Sequence, residues 1–594
     1  MFWRRVLEGG DRVAIREKRL GIWRAVTWRQ FGERARRVGL ALAALGFARG
    51  DRASILSGNC PEWLYADLGI AGVGGVPSGI YPTDASAQVE YLLRDSGSSV
   101  VFVEDEEQLD KVLRVRERLP GLQRIVVFDM EGLAGFEDPM AMSLERFMTL
   151  GAEHDRRHPG LWERRLAEPR AGDLAILVYT SGTTGPPKGA MLSHRNLIFQ
   201  CEHGTKLLPT YPGDERLSFL PLCHIAERLA GSYFSVFTHT VTNFAESPET
   251  VPENIREVQP TTFVAVPRIW EKFYSAVTLA MADATRLERW AYRTALGIGH
   301  RVADRRLERR PVPLGLRLAH GVADRLVLSN IRKMIGIDRC RWLVTGAAPI
   351  SPDLIRWYLA LGATMLEVYG QTENTALATW TPPDGIRPGT VGRPVPYGEV
   401  AISPLGEILL RGEHVFMGYY NQPEKTAEAL DADGWLHTGD VGEIDAQGYV
   451  RITDRMKDII ITAGGKNITP SEIENELKFS PYISDAVVIG DRRKYLTCLV
   501  MIDFDNVAKF AQDHDVPFTN FASLTRAKAV LDLIAEEIEK VNRKVARVET
   551  IKRFRLIDRQ LDPEDEELTP TMKLKRKLVN QKYRDVIESM YAEG

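Results

Sequence analysis

Short apolar runs and helical patterns alternate through the first third of the chain. Apolar residues recur at helical spacing from Phe31 to Leu42, whereas Val100–Val103 and Ile125–Phe128 are continuous apolar runs with the length of a buried strand. Strands that alternate with helices predict a parallel α/β sheet. Residues 131–172 are charged, and we expect them to be loop-rich and to lie on the surface.

The pattern changes near Arg455. A short apolar run and a Gly-Gly turn follow, and then a helix start. In this start Thr469 is the predicted N-cap, Pro470 is the first helical residue and Glu472 completes a capping box.

The remaining C-terminal segment has the pattern of a second, smaller domain. Residues 486–489 and 498–502 have strand patterns, and a helix is expected from about residue 524 to residue 545. A segment of about 140 residues suffices for an independent domain. We therefore predict a large α/β domain at 1–454 and a small, mobile α+β domain at 455–594.

A long helix-favouring insert occupies residues 275–335. It carries nine arginines between Arg286 and Arg317 against three acidic residues. The plainer interpretation is a solvated helical face. The functional alternative is a patch for anionic lipid surfaces or for the phosphates of CoA.

Composition excludes some classes of function. The 594 residues exceed one ordinary domain, and 44% hydrophobic with 26% charged residues is typical of a globular protein. A net charge of −3 gives no pull toward nucleic acid. No apolar run approaches a membrane span, and the N-terminus has no signal-like apolar core, so we expect a cytoplasmic protein.

Cysteine usage agrees with that compartment. The five cysteines lie far apart, and none forms a Cys-x-x-Cys pair. We interpret them as buried thiols and expect no zinc site. They are Cys60, Cys201, Cys223, Cys340 and Cys498.

The most informative motif is a Gly- and Thr-rich loop after the apolar run Leu174–Tyr179. Its glycines allow a tight turn that brings backbone N–H groups to phosphate oxygens, and Lys188 adds a positive charge. The sequence does not fit the Walker loop, because Gly189 follows the lysine where that loop has Ser or Thr. A plain surface turn is the alternative. The predicted phosphate-binding residues are Thr180, Ser181, Gly182, Thr183, Thr184, Gly185 and Lys188.

This loop resembles the signature of the AMP-forming adenylating enzymes, which include acyl-CoA synthetases, luciferases and peptide-synthetase adenylation domains. The other motifs of that family follow in order. In Val368–Glu373 the resemblance implies that Tyr369 stacks on adenine, that Thr372 bonds the α-phosphate and that Glu373 holds Mg²⁺. It also assigns Gly370 and Gln371 to the nucleotide site.

Two further segments resemble the base and ribose contacts of the family. Small residues at 346–348 would lie against the adenine plane. Asp440 would accept hydrogen bonds from both ribose hydroxyls, and Arg455 would reach the same ribose. A structural salt bridge between Asp440 and Arg455 is the alternative. Lys457 lies where the family has its domain hinge. The small residues are Gly346, Ala347 and Ala348.

The segment Leu568–Arg576 resembles the catalytic-lysine motif in its long-chain form, with Met572 where glycine is commoner. The resemblance assigns Lys573 as the catalytic lysine, while Lys575 and Lys577 are the competing candidates.

Two other resemblances concern the acid and CoA. His224 lies in a motif whose histidine approaches the carboxylate and acyl pocket, although a lone histidine is often structural. Gly464 and Gly465 resemble the turn that passes the pantetheine arm, with a plain hairpin turn as the alternative.

The resemblance implies that a carboxylic acid, Mg-ATP and CoA react through an acyl-adenylate. Val266–Lys272 and the helical insert resemble the long-chain fatty acyl-CoA synthetases, which implies a long apolar acid. A fatty acyl-AMP ligase for a carrier protein, a ligase for another apolar acid, a luciferase-like oxygenase and a non-catalytic adenylate-binding protein remain alternatives. Peripheral membrane association and a homodimer are further expectations.

Overall fold

The computed structural model describes residues 1–180, 186–463, 466–561, 565, 567–568 and 574–592. Its largest sheet has eight described strands, and the fold class predicted from the alternating pattern is confirmed. From one edge to the other, the strands are Gly418–Tyr419, Lys188–Ser193, Leu174–Thr180, Val76–Ile80, Arg52–Leu56, Val100–Val103, Arg124–Val127 and Ala141–Ser143.

Most neighbours in this sheet are parallel, and the exception is Lys188–Ser193, which runs antiparallel to Leu174–Thr180 and to Gly418–Tyr419. The predicted strand Leu174–Tyr179 and the predicted helix through Phe31 are confirmed as Leu174–Thr180 and Trp28–Ala44. The predicted Ile125–Phe128 run forms the strand Arg124–Val127.

Three further sheets complete the large domain. In the sheet that begins with Thr262–Ala265, the first three strands are parallel and the last two pair antiparallel. The sheet that begins with Glu399–Ile402 is antiparallel throughout. In spatial order, the strands of one sheet are Glu215–Ser218, Val241–Phe244, Val13–Arg19 and Ile22–Thr27. Those of another are Thr262–Ala265, Trp342–Thr345, Met365–Tyr369, Thr379–Trp380 and Arg393–Pro394. Those of the last are Glu399–Ile402, Glu407–Arg411, Leu436–Ile444 and Val450–Arg455.

Helices cover these sheets. The α-helices are Phe2–Gly9, Trp28–Ala44, Pro61–Gly72, Ser86–Ser96, Glu106–Leu113, Leu144–Arg157, Leu161–Leu166, His194–Leu207, Phe234–Thr238, Val251–Val258, Pro267–Asp283, Arg286–Leu307, Leu314–Ala323, Ser329–Met334, Pro352–Ala360 and Pro423–Ala429. Short 3₁₀ turns lie at Arg116–Arg118 and Thr372–Asn374, and π-helical segments at Ala226–Tyr233 and Asp324–Leu328. The predicted helical insert is therefore confirmed. Within the described residues, no helix combines the length and the apolar composition that crossing a bilayer requires.

The C-terminal part has its own sheets and core. Its strands are Ile460–Ile461 with Asn467–Ile468, and Ile483–Ile489, Leu496–Ile502 and Ile551–Leu556. Its helices are Pro470–Lys478, Phe504–Asp513, Phe521–Arg526, Lys528–Asn542, Arg576–Lys582 and Arg584–Ala592, with a 3₁₀ turn at Arg547–Glu549. The α+β composition predicted for this part is confirmed, while its boundary at residue 455 stays a prediction.

The expectation of a loop-rich surface segment at 131–172 is wrong. Two helices, Leu144–Arg157 and Leu161–Leu166, occupy it, and Phe147 and Trp162 are fully buried. The first helix packs so closely on its neighbour that a Cβ on Gly151 would lie 1.9 Å from the carbonyl oxygen of Arg37. The charges occupy the outer faces of these helices, so the segment is charged without being a loop.

The capping box predicted at Thr469 is also wrong. The Thr469 side chain makes no capping hydrogen bond, and Glu472 pairs with Arg451 at 2.5 Å. Asp454 supplies the cap instead, because its carboxylate accepts from the Ser471 backbone N–H at 3.3 Å and from the Ser471 hydroxyl at 2.9 Å. A carboxylate on the last strand of the large domain thus holds the first helix of the small one.

Two smaller expectations need correction. The helix predicted from 524 to 545 is two helices, because Ala527 has an extended backbone that separates Phe521–Arg526 from Lys528–Asn542. Three of the cysteines are buried as predicted, whereas Cys60 and Cys340 are partly exposed.

Candidate functional site

One large cavity of about 2590 Å³ gathers most of the predicted site residues. Strand ends and loops of the large domain form most of its wall, and the small domain closes one side. The described site residues that line it are Thr180, Lys188, His224, Gly346, Ala347, Ala348, Tyr369, Gly370, Gln371, Thr372, Glu373, Asp440, Arg455 and Lys457. Residues separated by up to 277 positions of the printed sequence therefore face one space.

The other predicted residues lie outside the described part of the chain. They are Ser181, Gly182, Thr183, Thr184, Gly185, Gly464, Gly465 and Lys573. Thr180 and Lys188, on either side of the first group, are register partners in the antiparallel strand pair and line the cavity. Leu574 and Lys575, which follow Lys573, line it as well.

Asp440 is the centre of the ribose end of the predicted site. It is buried, and its Oδ2 accepts hydrogen bonds from the Tyr369 hydroxyl and from Gln371 Nε2, both at 2.7 Å. Strand pairing places Arg455 directly opposite, with its Nε 3.6 Å from Asp440 Oδ1. Burial, followed by the adjacent Asp440 carboxylate, raises the pKa of Tyr369, so its hydroxyl remains a donor at neutral pH. Both the ribose role and the salt-bridge alternative are compatible with this arrangement.

Glu373 is the centre of the predicted phosphate end. Its Oε1 accepts a hydrogen bond from the Tyr419 hydroxyl at 2.7 Å, and the Tyr419 ring lies 4.0 Å below the ammonium of Lys188. Burial lowers the pKa of Lys188, while Glu373 opposes that effect. A carboxylate, a phenol and an ammonium thus share one corner of the cavity, where they can place a cation and bind phosphate oxygens.

Close contacts shape the part of the cavity wall that Gly346 and Gly370 form. A Cβ on Gly370 would lie 2.2 Å from the carbonyl oxygen of Ala376, and one on Gly346 would lie 2.9 Å from a Val368 methyl group. Ala347 has a φ of 67°, in the left-handed region. Gly346 and Gly370 therefore have little room for a side chain, while the contact of residues 346–348 with adenine stays a prediction.

Glu367 is a site residue that the sequence reasoning missed. It lies two residues before Tyr369 on the same strand, is buried, and lines the cavity. Burial raises its pKa well above the usual range, while the backbone N–H of Gly389 donates to it and opposes that effect. A carboxyl inside the otherwise apolar strand Met365–Tyr369 is the signal that could have revealed it, since a buried acid in a strand needs a partner.

The cavity lining includes an apolar part, which we call the apolar branch, from the helix His194–Leu207, the π-helical segment Ala226–Tyr233 and the residues that follow each of them. Its lining includes Leu208, Leu229, Ala230 and Phe234. These side chains offer no charge, so this branch suits the hydrocarbon part of a ligand.

His224 also lines the cavity. Its Nδ1 accepts a hydrogen bond from the backbone N–H of Ala226 at 3.2 Å, so the proton of the neutral ring is on Nε2.

The residues that follow His224 have structural partners that the sequence did not reveal. Arg228 is fully buried and donates to Asp67, and the Tyr233 hydroxyl donates to the same carboxylate at 2.8 Å.

The described contacts between the two domains include an aromatic stack and two ion pairs, besides the hydrogen bonds of Asp454 to Ser471. Tyr274 stacks on Phe479 with ring centroids 4.9 Å apart. Ion pairs across this boundary include Lys509–Asp283 at 2.9 Å and Lys544–Asp353 at 3.0 Å. They hold the small domain in the orientation in which Leu574 and Lys575 face the cavity.

Comparison with known proteins agrees with this site. The family model described as "AMP-binding enzyme" matches residues 2–420, and the model of its C-terminal domain matches residues 457–594. The chain belongs to the AMP-binding enzyme family. The resemblance found in the motifs is therefore confirmed.

Curated relatives of this family member cover almost the whole chain. The long-chain-fatty-acid–CoA ligase FadD15 of Mycobacterium bovis is 35% identical over 96% of this chain and 93% of its own length. The long-chain-fatty-acid–CoA ligase ACSBG2 of Xenopus laevis is 32% identical over 100% of this chain and 83% of its own length. Among solved structures, the anthranilate CoA ligase AuaEII in complex with anthranoyl-AMP matches with a TM-score of 0.74 and 20% identity, covering 99% and 97% of the two chains, which shows the shared fold.

Proposed function

We propose that this chain is a long-chain fatty acid–CoA ligase that works through an acyl-adenylate. The observation that carries the proposal is one continuous cavity with a polar end at Asp440 and Glu373 and an apolar branch at Ala230. A nucleotide and a hydrocarbon chain fit these two environments, and His224 lines the same cavity. The long-chain-fatty-acid–CoA ligases named above support the same assignment.

In the first half-reaction a carboxylate oxygen of the fatty acid attacks the α-phosphorus of ATP, and the bond to pyrophosphate breaks. Asp440 and Arg455 orient the ribose, while Thr180 and Lys188 bind the phosphates. Thr372 bonds the α-phosphate. These groups act mainly by positioning and by charge stabilisation, which are the principal contributions of proteins to phosphoryl transfer.

Glu373 would hold Mg²⁺ in this site, because a carboxylate oxygen beside nucleotide phosphates is the donor set that this ion prefers. When bound, the ion would neutralise developing phosphate charge. The Tyr419 hydroxyl fixes the Glu373 carboxylate through a 2.7 Å hydrogen bond and so sets the direction of its oxygens. Burial and the Glu373 carboxylate both raise the pKa of Tyr419, which keeps this donor protonated.

Lys573 supplies a positive charge to the reacting carboxylate and α-phosphate in this half-reaction. In the second half-reaction the small domain turns about Lys457 and presents Gly464 and Gly465, so that the CoA sulfur attacks the acyl carbonyl and AMP leaves. The Tyr274–Phe479 stack and the two interdomain ion pairs must break in this turn.

We add two assignments near the predicted nucleotide site. Glu367 is buried and lines the cavity two residues before Tyr369, and we assign one of its carboxyl oxygens to accept from the exocyclic amino group of adenine, since either protonation state leaves an acceptor oxygen. His224 donates from Nε2 to the fatty acid carboxylate and keeps it at the mouth of the apolar branch.

The acid is long because the apolar branch offers burial to each added methylene. Each buried methylene contributes about 0.8 kcal/mol, or about fourfold in kcat/KM when the gain persists in the transition state. We expect kcat/KM to rise with chain length to about 14 to 18 carbons and then to fall once the branch is filled. A preference for short or aryl acids would contradict the long-chain assignment.

Ala230→Trp tests whether this branch holds the chain. The indole would fill space beside Leu229 and Phe234, so we expect kcat/KM for hexadecanoate to fall at least about a hundredfold, while an acid short enough to stop before residue 230 loses less than about threefold. The measurement is release of AMP from ATP across a series of acids, with CoA present. Ala282→Trp, at an exposed helical position, is the matched control and should leave the profile unchanged. Equal losses for all acids would place the chain elsewhere.

Three further properties remain proposals. The chain acts in the cytoplasm, associates with a membrane at its periphery, and forms a homodimer. Light scattering of the purified chain tests the last of these.

A further inference from the structure

The insert carries an exposed apolar row on its outer side. Leu314, Leu318, Val322 and Leu326 recur four residues apart along the helix Leu314–Ala323 and the π-helical segment that continues it. We call these four residues the leucine row. Their exposed fractions are 69%, 65%, 60% and 66%. Single exposed leucines are ordinary on protein surfaces, but a continuous row of four indicates a contact surface.

The insert packs on the large domain through a different face, and the leucine row stays exposed to solvent. In the neighbouring helix Arg286–Leu307, the residues Ala295, Gly299 and Val302 are buried. A Cβ on Gly299 would lie 2.0 Å from the carbonyl oxygen of Ala360, so this face is in close contact with the helix Pro352–Ala360. The leucine row belongs neither to that contact nor to the lining of the large cavity.

Arginines accompany the row. Residues 286–328 contain ten arginines and no lysine against four acidic residues, although the whole chain has a net charge of −3. Arg317 and Arg325 lie next to members of the row and are exposed. Asp324, the nearest acid in sequence, pairs with Arg332 at 2.6 Å. Among the described residues, neither Arg317 nor Arg325 lies within 4.0 Å of an acidic oxygen.

We propose that the leucine row docks the enzyme on the surface of a bilayer that contains anionic phospholipids. Leucine side chains can enter the boundary of the acyl region while arginines on the same helices bind the phosphates of the headgroups. Arginine suits this role because its planar guanidinium binds phosphate through two hydrogen bonds. A second copy of the chain fits less well, since a two-fold contact across the row would oppose the same arginines. The inference rests on the peripheral membrane association proposed above and gives it a surface and a class of lipid, while it is independent of the ligase activity.

Vesicle co-sedimentation of the full-length chain tests the proposal. The probes are vesicles of phosphatidylcholine alone and of phosphatidylcholine mixed with phosphatidylglycerol. We expect binding to the mixed vesicles that weakens at high salt and is much lower on phosphatidylcholine. The triple variant L314S/L318S/L326S and the charge variant R317Q/R325Q should each bind the mixed vesicles at least about tenfold more weakly.

Leu405→Ser is the matched control, because Leu405 is 82% exposed and lies in a distant turn. It should bind vesicles like the wild type. All variants should keep wild-type melting temperature and wild-type activity on a medium-chain acid without vesicles, since the altered residues are exposed. Wild-type failure to bind the mixed vesicles, or unchanged binding by both row variants, would overturn the proposal. So would a dimer, detected by light scattering, that the triple variant alone dissolves while its vesicle binding stays intact.

Discussion

Lys573→Ala should lower the rate of acyl-adenylate formation by at least about two to three orders of magnitude, the usual cost of removing one preorganised charge from a transition state. The same variant should still convert added acyl-AMP and CoA into acyl-CoA and AMP at close to the wild-type rate. The reason is that a lysine on a mobile small domain can serve only one of the two domain orientations. Leu574 and Lys575, which follow Lys573 in sequence, line the cavity in the described orientation. Pyrophosphate release measures the first step, and thioester formation from synthetic acyl-AMP measures the second.

The neighbouring lysines provide the controls. Lys575 lines the cavity near Asp84. Burial raises the pKa of the Asp84 carboxyl to about 6, and the charge of Lys575 partly opposes that rise. Lys577 is exposed. Lys575→Ala and Lys577→Ala should each change adenylation by less than about fivefold. A larger loss in Lys575→Ala than in Lys573→Ala would transfer the catalytic role to Lys575. Loss of both half-reactions in Lys573→Ala would contradict the use of two domain orientations.

Glu373→Gln is expected to have the second large effect. The substitution keeps the shape of the side chain but removes its negative charge, so we expect the magnesium concentration needed for half-maximal rate to rise at least about tenfold and kcat to fall at least about a hundredfold. Titration of magnesium at saturating ATP and fatty acid measures both. Binding of a nucleotide without magnesium should change little, which separates this effect from unfolding.

Tyr419→Phe is the matched control for Glu373. It removes the hydroxyl that donates to Glu373 Oε1 but keeps the ring beneath Lys188. Because the carboxylate then loses its orientation and keeps its charge, kcat should fall about threefold to thirtyfold with a small change in the magnesium requirement. Wild-type magnesium dependence in Glu373→Gln would remove this residue from the metal site.

Local pattern predicts the elements of this fold well and their partners poorly. The run Leu174–Tyr179 predicts its strand because five consecutive buried side chains need an apolar sequence. The helix Leu144–Arg157 was missed because its many charges hide the few residues, such as Phe147, that it buries. The Asp454 cap on Ser471 joins two domains, and no local motif encodes a partner 17 residues away.

The candidate site shows the same division. Its motif residues could be assigned from the resemblance, and the described ones line one cavity. The sequence could not identify Glu367 or the Asp67–Arg228–Tyr233 network, because their importance comes from burial and from contacts between distant segments. Arg228 and Asp67 are 161 residues apart, and only the folded chain reveals that each neutralises the other.

The central claim is that a carboxylate attacks the α-phosphorus of ATP to form an acyl-adenylate, which CoA then consumes. The most direct test uses hexadecanoate with ¹⁸O in both carboxyl oxygens, incubated with the enzyme, magnesium, ATP and CoA, and mass spectrometry of the products. The proposed chemistry predicts one ¹⁸O in the phosphate of AMP and one in the carbonyl of the acyl-CoA, with unlabelled pyrophosphate. Unlabelled AMP, or label in pyrophosphate or inorganic phosphate, would contradict it.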